Sequence, residues 1–182
     1  ILAELLDLQE SLEEKEVASW AETEINSVFA LASQGDEAYQ SQDFIGAATF
    51  YQQGLEILSR LDVSLPDVFS RYLATGEQAI LNDDPALAEE SFSIAILVNP
   101  DSAEAVNGYD RAQLLTEVLG VIAQGRQFHD AGEFESAREL YRQALAIDPV
   151  HVGAGALLEQ ANTDILDRDF SAAMSQGFSA LA

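Results

Sequence analysis

The 182-residue chain has no cysteine, one lysine (Lys15), two histidines and four prolines. Without thiols there are no disulfide staples and no thiolate chemistry, a condition met in cytosol and periplasm alike. The few prolines, and the lack of any Ser/Gly-rich or low-complexity tract, leave no flexible linker, so residues 1–182 are expected to form a single elongated domain. No run of 18 apolar residues occurs, so direct membrane insertion by this segment is not expected. The chain opens at Ile1 with no basic region followed by an apolar stretch and a small-residue cleavage site, which suggests a fragment or mature chain of a larger protein.

Basic residues are scarce as well. Eight of them stand against 32 acidic residues, for a net charge of -24. Such a chain repels a phosphate backbone within the Debye length, about 8 Å at physiological salt, so nucleic acid is a poor partner. The acidic residues spread along the whole sequence, either as a solvating coat or as a surface that steers a basic protein or peptide. Catalytic signatures are missing too: no HExxH, GxSxG, phosphate-cradling glycine loop or calcium loop is present. His129 beside Asp130 is better read as a packing or solvent-facing histidine than as a metal ligand. A non-enzymatic chain with no cofactor and no metal is therefore expected.

What the chain does contain is repetition. Three stretches carry the same small-residue and aromatic punctuation, Gly35–Ile57, Gly76–Pro100 and Gly125–Pro149. Each opens on a glycine (Gly35, Gly76, Gly125). An alanine follows twelve residues later (Ala47, Ala88, Ala137), and four beyond it an aromatic ring (Tyr51, Phe92, Tyr141). Three further on comes another small residue (Gly54, Ala95, Ala144), and the second and third stretches close on Pro100 and Pro149. Asp43, Asp84 and Glu133 stand where each hairpin turns, placed to accept hydrogen bonds from free helix N–H groups.

This pattern resembles the tetratricopeptide repeat, TPR, a 34-residue helix–turn–helix unit. The resemblance covers most of the chain and implies an all-α fold, a right-handed helical-hairpin solenoid of about 8–9 helices. It divides the chain into an N-terminal helix (1–18), repeat 1 (28–61), repeat 2 (69–100), an extra helix (101–117), repeat 3 (118–149), a second extra helix (150–168), and the start of a fourth repeat or a cap (170–182). The turn alanines lie 41 and 49 residues apart rather than 34. Residues 62–65 are expected to form a loop before Pro66. Residues 102–131 are expected to form either one long helix or two helices with a kink near Gln113–Thr116. Small residues should let paired helices approach closely, while the rings fill the gap to the next helix.

By the same resemblance, one face of each first helix would line a concave peptide-binding groove. The residues so placed are Phe29, Asp36 and Tyr39 in repeat 1, Leu73, Glu77 and Ile80 in repeat 2, and Ile122, Arg126 and His129 in repeat 3. The Lys, Asn and Arg clamp with which one subgroup of the family holds chaperone tails is missing: two positions where it would lie carry Asp36 and Glu77. A basic or amphipathic protein or peptide is the expected partner, unless extra helices fill the groove. The alternative is a self-association module. Ile1, Leu5, Leu8 and Leu12 form a short seam that either packs on its own domain or joins two copies. The C-terminal edge, where Ala173, Gly177 and Ala180 match the opening of a fourth repeat, offers a second route to a homodimer. Compartment is left open, with a weak resemblance to periplasmic regions of membrane-anchored bacterial repeat proteins.

Overall fold

The computed structural model describes residues 1–180, and the regular structure among them is entirely helical. Eight helices follow one another: α1 (Leu2–Glu13), α2 (Val17–Trp20), α3 (Glu22–Gln40), α4 (Phe44–Leu81), α5 (Pro85–Val98), α6 (Ala103–Asp130), α7 (Phe134–Ile147) and α8 (Val152–Ala180). The chain thus has the expected all-α class and helix number. It divides into two compact units, Ile1–Glu77 with Glu90–Asn107, and Gln78–Glu89 with Gly108–Ala182.

Three turns between paired helices repeat one backbone conformation. Gln42, Asp83 and Gly132 adopt φ of 66°, 58° and 78°. In each turn the next residue's N–H reaches a carbonyl five residues back, from Asp43 to Ala38, Asp84 to Ala79 and Glu133 to Phe128, all at 2.9 Å. Only the third turn uses glycine, the residue that adopts a left-handed conformation without steric cost. Asp43 and Asp84 then cap the following helices, accepting from the Gly46 N–H at 2.9 Å and the Leu87 N–H at 3.1 Å. Glu133 departs from that expectation, since it makes no side-chain cap. Its extra methylene disfavours the short reach that Asp makes to the N–H three residues on.

Within the hairpins, each repeat glycine lies under the ring sixteen residues downstream. A Cβ on Gly35 would stand 2.5 Å from Tyr51 Cε1, one on Gly76 2.9 Å from Phe92, and one on Gly125 2.5 Å from Tyr141. The rings therefore pack back onto the first helix of their own hairpin instead of only bridging to the next. Tyr141 does both, since it clusters with Ala137 and with Ala161 of α8.

In the first unit, Leu5, Leu12, Val17, Ile25, Val28, Ala47, Tyr51, Leu58 and Leu61 form one core. A side chain at Gly54 would come 3.0 Å from Leu5 Cδ1, so α1 sits tightly on α4. The N-terminal seam thus packs on its own domain through Leu5 and Leu12, while Ile1, Leu2 and Leu6 stay exposed. In the second unit, Val118 and Ile122 of α6 pack with Ala144 of α7 and Ala154 of α8. Ion pairs tie the same helices: Arg111 donates to buried Asp148 at 2.9 Å, and Arg168 of α8 donates to Glu135 of α7 at 2.8 Å.

The loop expected at residues 62–65 does not occur, and of the two readings of residues 102–131 the single long helix is the one formed. Pro66 lies inside α4, and residues 62–65 are helical rather than a loop. An interior proline costs about 3 kcal/mol. Here Leu58, Leu61, Leu65 and Val68 keep helical spacing across it, with all but the half-buried Leu65 fully buried, and that burial offsets the cost. Likewise Ala105, Ala112, Leu115, Val118 and Ile122 are buried at steps of three and four or their sums, so α6 runs unbroken and the 101–117 helix is continuous with repeat 3. The second extra helix and the opening of a fourth repeat are likewise one helix, α8, without a break at Asp169-Phe170; Leu181 and Ala182 lie outside the described residues.

Gly125 and Gly120 share helix α6 and make a matched pair. Gly125→Ala should lower stability in urea titrations by about 1–3 kcal/mol, because the methyl meets the Tyr141 ring. Gly120→Ala meets nothing within 4 Å and should raise stability by about 0.5–1 kcal/mol through helix propensity. Equal effects would disprove the ring contact. A second expectation concerns the exposed α7–α8 pair. Arg168, helped by the Glu135 backbone N–H, holds the Glu135 carboxyl down to about 2. A depressed folded-state value means that the pair stabilises the fold above the ordinary carboxylate range and is lost as pH falls towards 2. Arg168→Gln should therefore melt below the parent near neutral pH, with the gap closing over that acid window.

Candidate functional site

Helix α3 buries Ile25, Val28 and Gly35. Phe29, Ala32, Asp36 and Tyr39 follow each other at helical spacing on the neighbouring face. Phe29 and Tyr39 are 46% and 60% exposed, a large apolar area for side chains that otherwise drive core formation. The turn at Gln42 brings Phe44 back against Tyr39, edge to face, with ring centroids 5.3 Å apart. Ile45, next in sequence, is 84% exposed. Phe44 and Ile45 also line a shallow groove of about 660 Å³ with Ile1, Ala48 and Gln52.

Asp36 is not a free acid within this ledge. Its carboxylate accepts a 2.6 Å hydrogen bond from the Tyr51 hydroxyl. That bond, reinforced by burial and by the Asp36 charge, raises the Tyr51 pKa. The corresponding place in the third hairpin holds Arg126, which cannot accept a hydrogen bond. The Tyr141 hydroxyl is buried and has no hydrogen-bond partner among the described residues. Burial raises its pKa, Arg126 lowers it, and Asp130 raises it. In the second hairpin the ring is Phe92, which needs no partner, and Glu77 faces solvent.

The nine expected groove residues therefore separate. Phe29, Asp36 and Tyr39 form an exposed row on α3, and Leu73 and Glu77 are half-buried and exposed on α4. Ile80 and Ile122 are buried and cannot anchor a peptide. Ile122 is covered because it shares one core cluster with Ala144 of α7 and Ala154 of α8, the latter on the extra helix that the lengthened spacing supplies. His129 is occupied as well: its Nε2 lies 2.7 Å from Asp164, and its ring packs on Phe134 at 5.1 Å. Among the described residues no group of three or more His, Asp or Glu converges as a metal site would require.

Two features escaped the sequence reading. Phe44 and Ile45 were visible only as the residues after a turn, and their joining Tyr39 depends on the hairpin geometry. The buried His151 caps α8: its Nδ1 accepts the Ala154 N–H at 3.1 Å, and its Nε2 faces Asp83 at 3.3 Å. No family model, curated protein or solved structure matches the chain.

The two tyrosines should respond differently to loss of the hydroxyl. Tyr51→Phe removes a partnered group and should lower the melting temperature. Tyr141→Phe removes a buried, unpartnered one and should leave it unchanged or raise it. Calorimetry on both variants checks this, and a large loss for Tyr141→Phe would show that its hydroxyl has a partner after all.

Proposed function

We propose that this chain is a non-enzymatic protein–protein interaction scaffold of the tetratricopeptide repeat type. The exposed row of Phe29, Tyr39, Phe44 and Ile45 carries the reading, since side chains of this kind form the anchors of protein interfaces. They sit on paired helices whose geometry is held by the Gly35–Tyr51 contact, so little ordering cost remains to be met on binding. Asp36 lies between the two aromatics on the same helical face, and the chain as a whole carries a net charge of -24. An amphipathic helix or extended peptide with apolar anchors and basic flanks suits that surface.

Arg126 and the covered Ile122 narrow this proposal to the first hairpin, in place of a groove running through all three. The N-terminal route to self-association loses its main residues, since Leu5 and Leu12 are in the core. The carboxylate-clamp mode is disfavoured by Asp36 and Glu77.

A Phe29→Ala, Tyr39→Ala double variant tests the reading. Truncating an anchor costs on the order of 2 kcal/mol, so the pair should weaken capture of a partner from native lysate more than about a hundredfold. Circular dichroism should be unchanged, because neither ring belongs to the core. Undiminished capture by the folded variant would remove the site from this face.

A further inference from the structure

The C-terminal half of α8 is an apolar row with nothing over it. Phe170, Met174 and Phe178 are exposed, and no charged side chain lies between Phe170 and Ala180 in a chain that is 22% charged as a whole. No residue in Asp167–Ala180 is buried or half-buried.

This row has three internal counterparts. Counting back seven and three residues from each repeat glycine gives Val28, Ala32 and Gly35; Phe69, Leu73 and Gly76; and Val118, Ile122 and Gly125. The same count from Gly177 gives Phe170, Met174 and Gly177. In α6 the row is buried, with Val118 and Ile122 packed on Ala144 of α7 and Gly125 pressed under Tyr141. On α8 the space above Gly177 is open, with nothing within 4 Å of a Cβ placed there. Three glycines carry a ring, and the fourth stands with its apolar row in the same register and no ring.

What covers such a row is defined by the helices that cover the other three. Each presents a small residue, a ring four residues later and a small residue three beyond that: Ala47, Tyr51, Gly54; Ala88, Phe92, Ala95; Ala137, Tyr141, Ala144. We propose that Phe170–Ala180 of α8 is a docking face for an antiparallel partner helix of this pattern, whose aromatic ring seats on Gly177. The absence of charge on the face means that apolar burial and close helix approach, not steering, provide the affinity. The proposal rests on the scaffold reading for its class and assigns a second face, separate from the Phe29–Tyr39 row.

The chain itself supplies the probe. A labelled synthetic peptide of residues 133–148, which carries Ala137, Tyr141 and Ala144, should bind the 182-residue protein saturably in fluorescence anisotropy. Gly177→Leu in the protein, or Tyr141→Ala in the peptide, should weaken that binding at least tenfold. The protein variant has open space for its side chain and replaces a helical glycine by a good helix former, so its melting temperature should hold or rise. It should also retain partner capture through Phe29 and Tyr39, which separates failure of this proposal from failure of the scaffold reading. No peptide binding, or binding indifferent to Gly177→Leu, overturns the assignment. Sedimentation that shows a dimer of the parent converted to monomer by Gly177→Leu also overturns it, because the occupant is then a second copy of the chain.

Discussion

The seating of an aromatic ring on a glycine is the contact on which the rest of this structure depends. A methyl at Gly35 or Gly125 would lie 2.5 Å from the tyrosine ring, far inside van der Waals distance, so the helix separation at these points is set by the absence of a side chain. Close approach brings Ala47, Ala137 and Ala144 into full burial, where anything larger overpacks. It also fixes the turn. With the two helices at that separation, a single left-handed residue closes the connection, whether it is Gln42, Asp83 or Gly132. Gln42 adopts the conformation against its own preference, Asp83 tolerates it better, and the packing above them outweighs the local cost.

Electrostatics act as a second layer on this frame. Most of the chain's 32 acids have no cation to meet, since only eight basic residues exist. Two arginines join elements far apart in sequence, Arg111 with Asp148 and Arg168 with Glu135, while Arg142 pairs only within its own helix, with Glu139. The Asp148 pair matters most for the fold, because that carboxylate is 5% exposed and an isolated charge there would be costly. Its second oxygen accepts the Val150 N–H, so the turn between α7 and α8 is held by the residue that precedes Pro149.

Helix class, hairpin pairing and the turn positions were legible in the sequence, because small and aromatic residues at fixed spacing record a steric requirement that every repeat must meet. Helix continuity was not. Pro66 reads locally as a boundary, yet Leu58, Leu61 and Val68 hold helical register on both sides of it, and burial along one face outweighs one missing N–H. The candidate site was half legible. Phe29 and Tyr39 stand out on α3 as expected, but equivalent positions in the other hairpins take different fates. Ile122 is covered by α7 and α8, and His129 is occupied by Asp164. Those outcomes depend on how many residues separate the repeats, and a repeat register carries no information about what an inserted helix will cover.

Burial is thus a property of neighbours more than of composition, and α6 and α8 show it within one chain. Val118, Ile122 and Gly125 form a core row because α7 and α8 lie over them; Phe170, Met174 and Gly177 have the same character in the same register and face solvent. If the exposed row served solubility, charge would be its simplest form, and the rest of the chain uses acids freely for that purpose. Its neutrality from Phe170 to Ala180 therefore argues that it is a surface kept for packing. The same reasoning applies to Tyr39, Phe44 and Ile45, three exposed apolar side chains on either side of the turn that Asp43 caps. A strongly acidic protein that leaves apolar surfaces uncovered concentrates its capacity to associate at such places, and elsewhere its own charge discourages contact with other acidic chains.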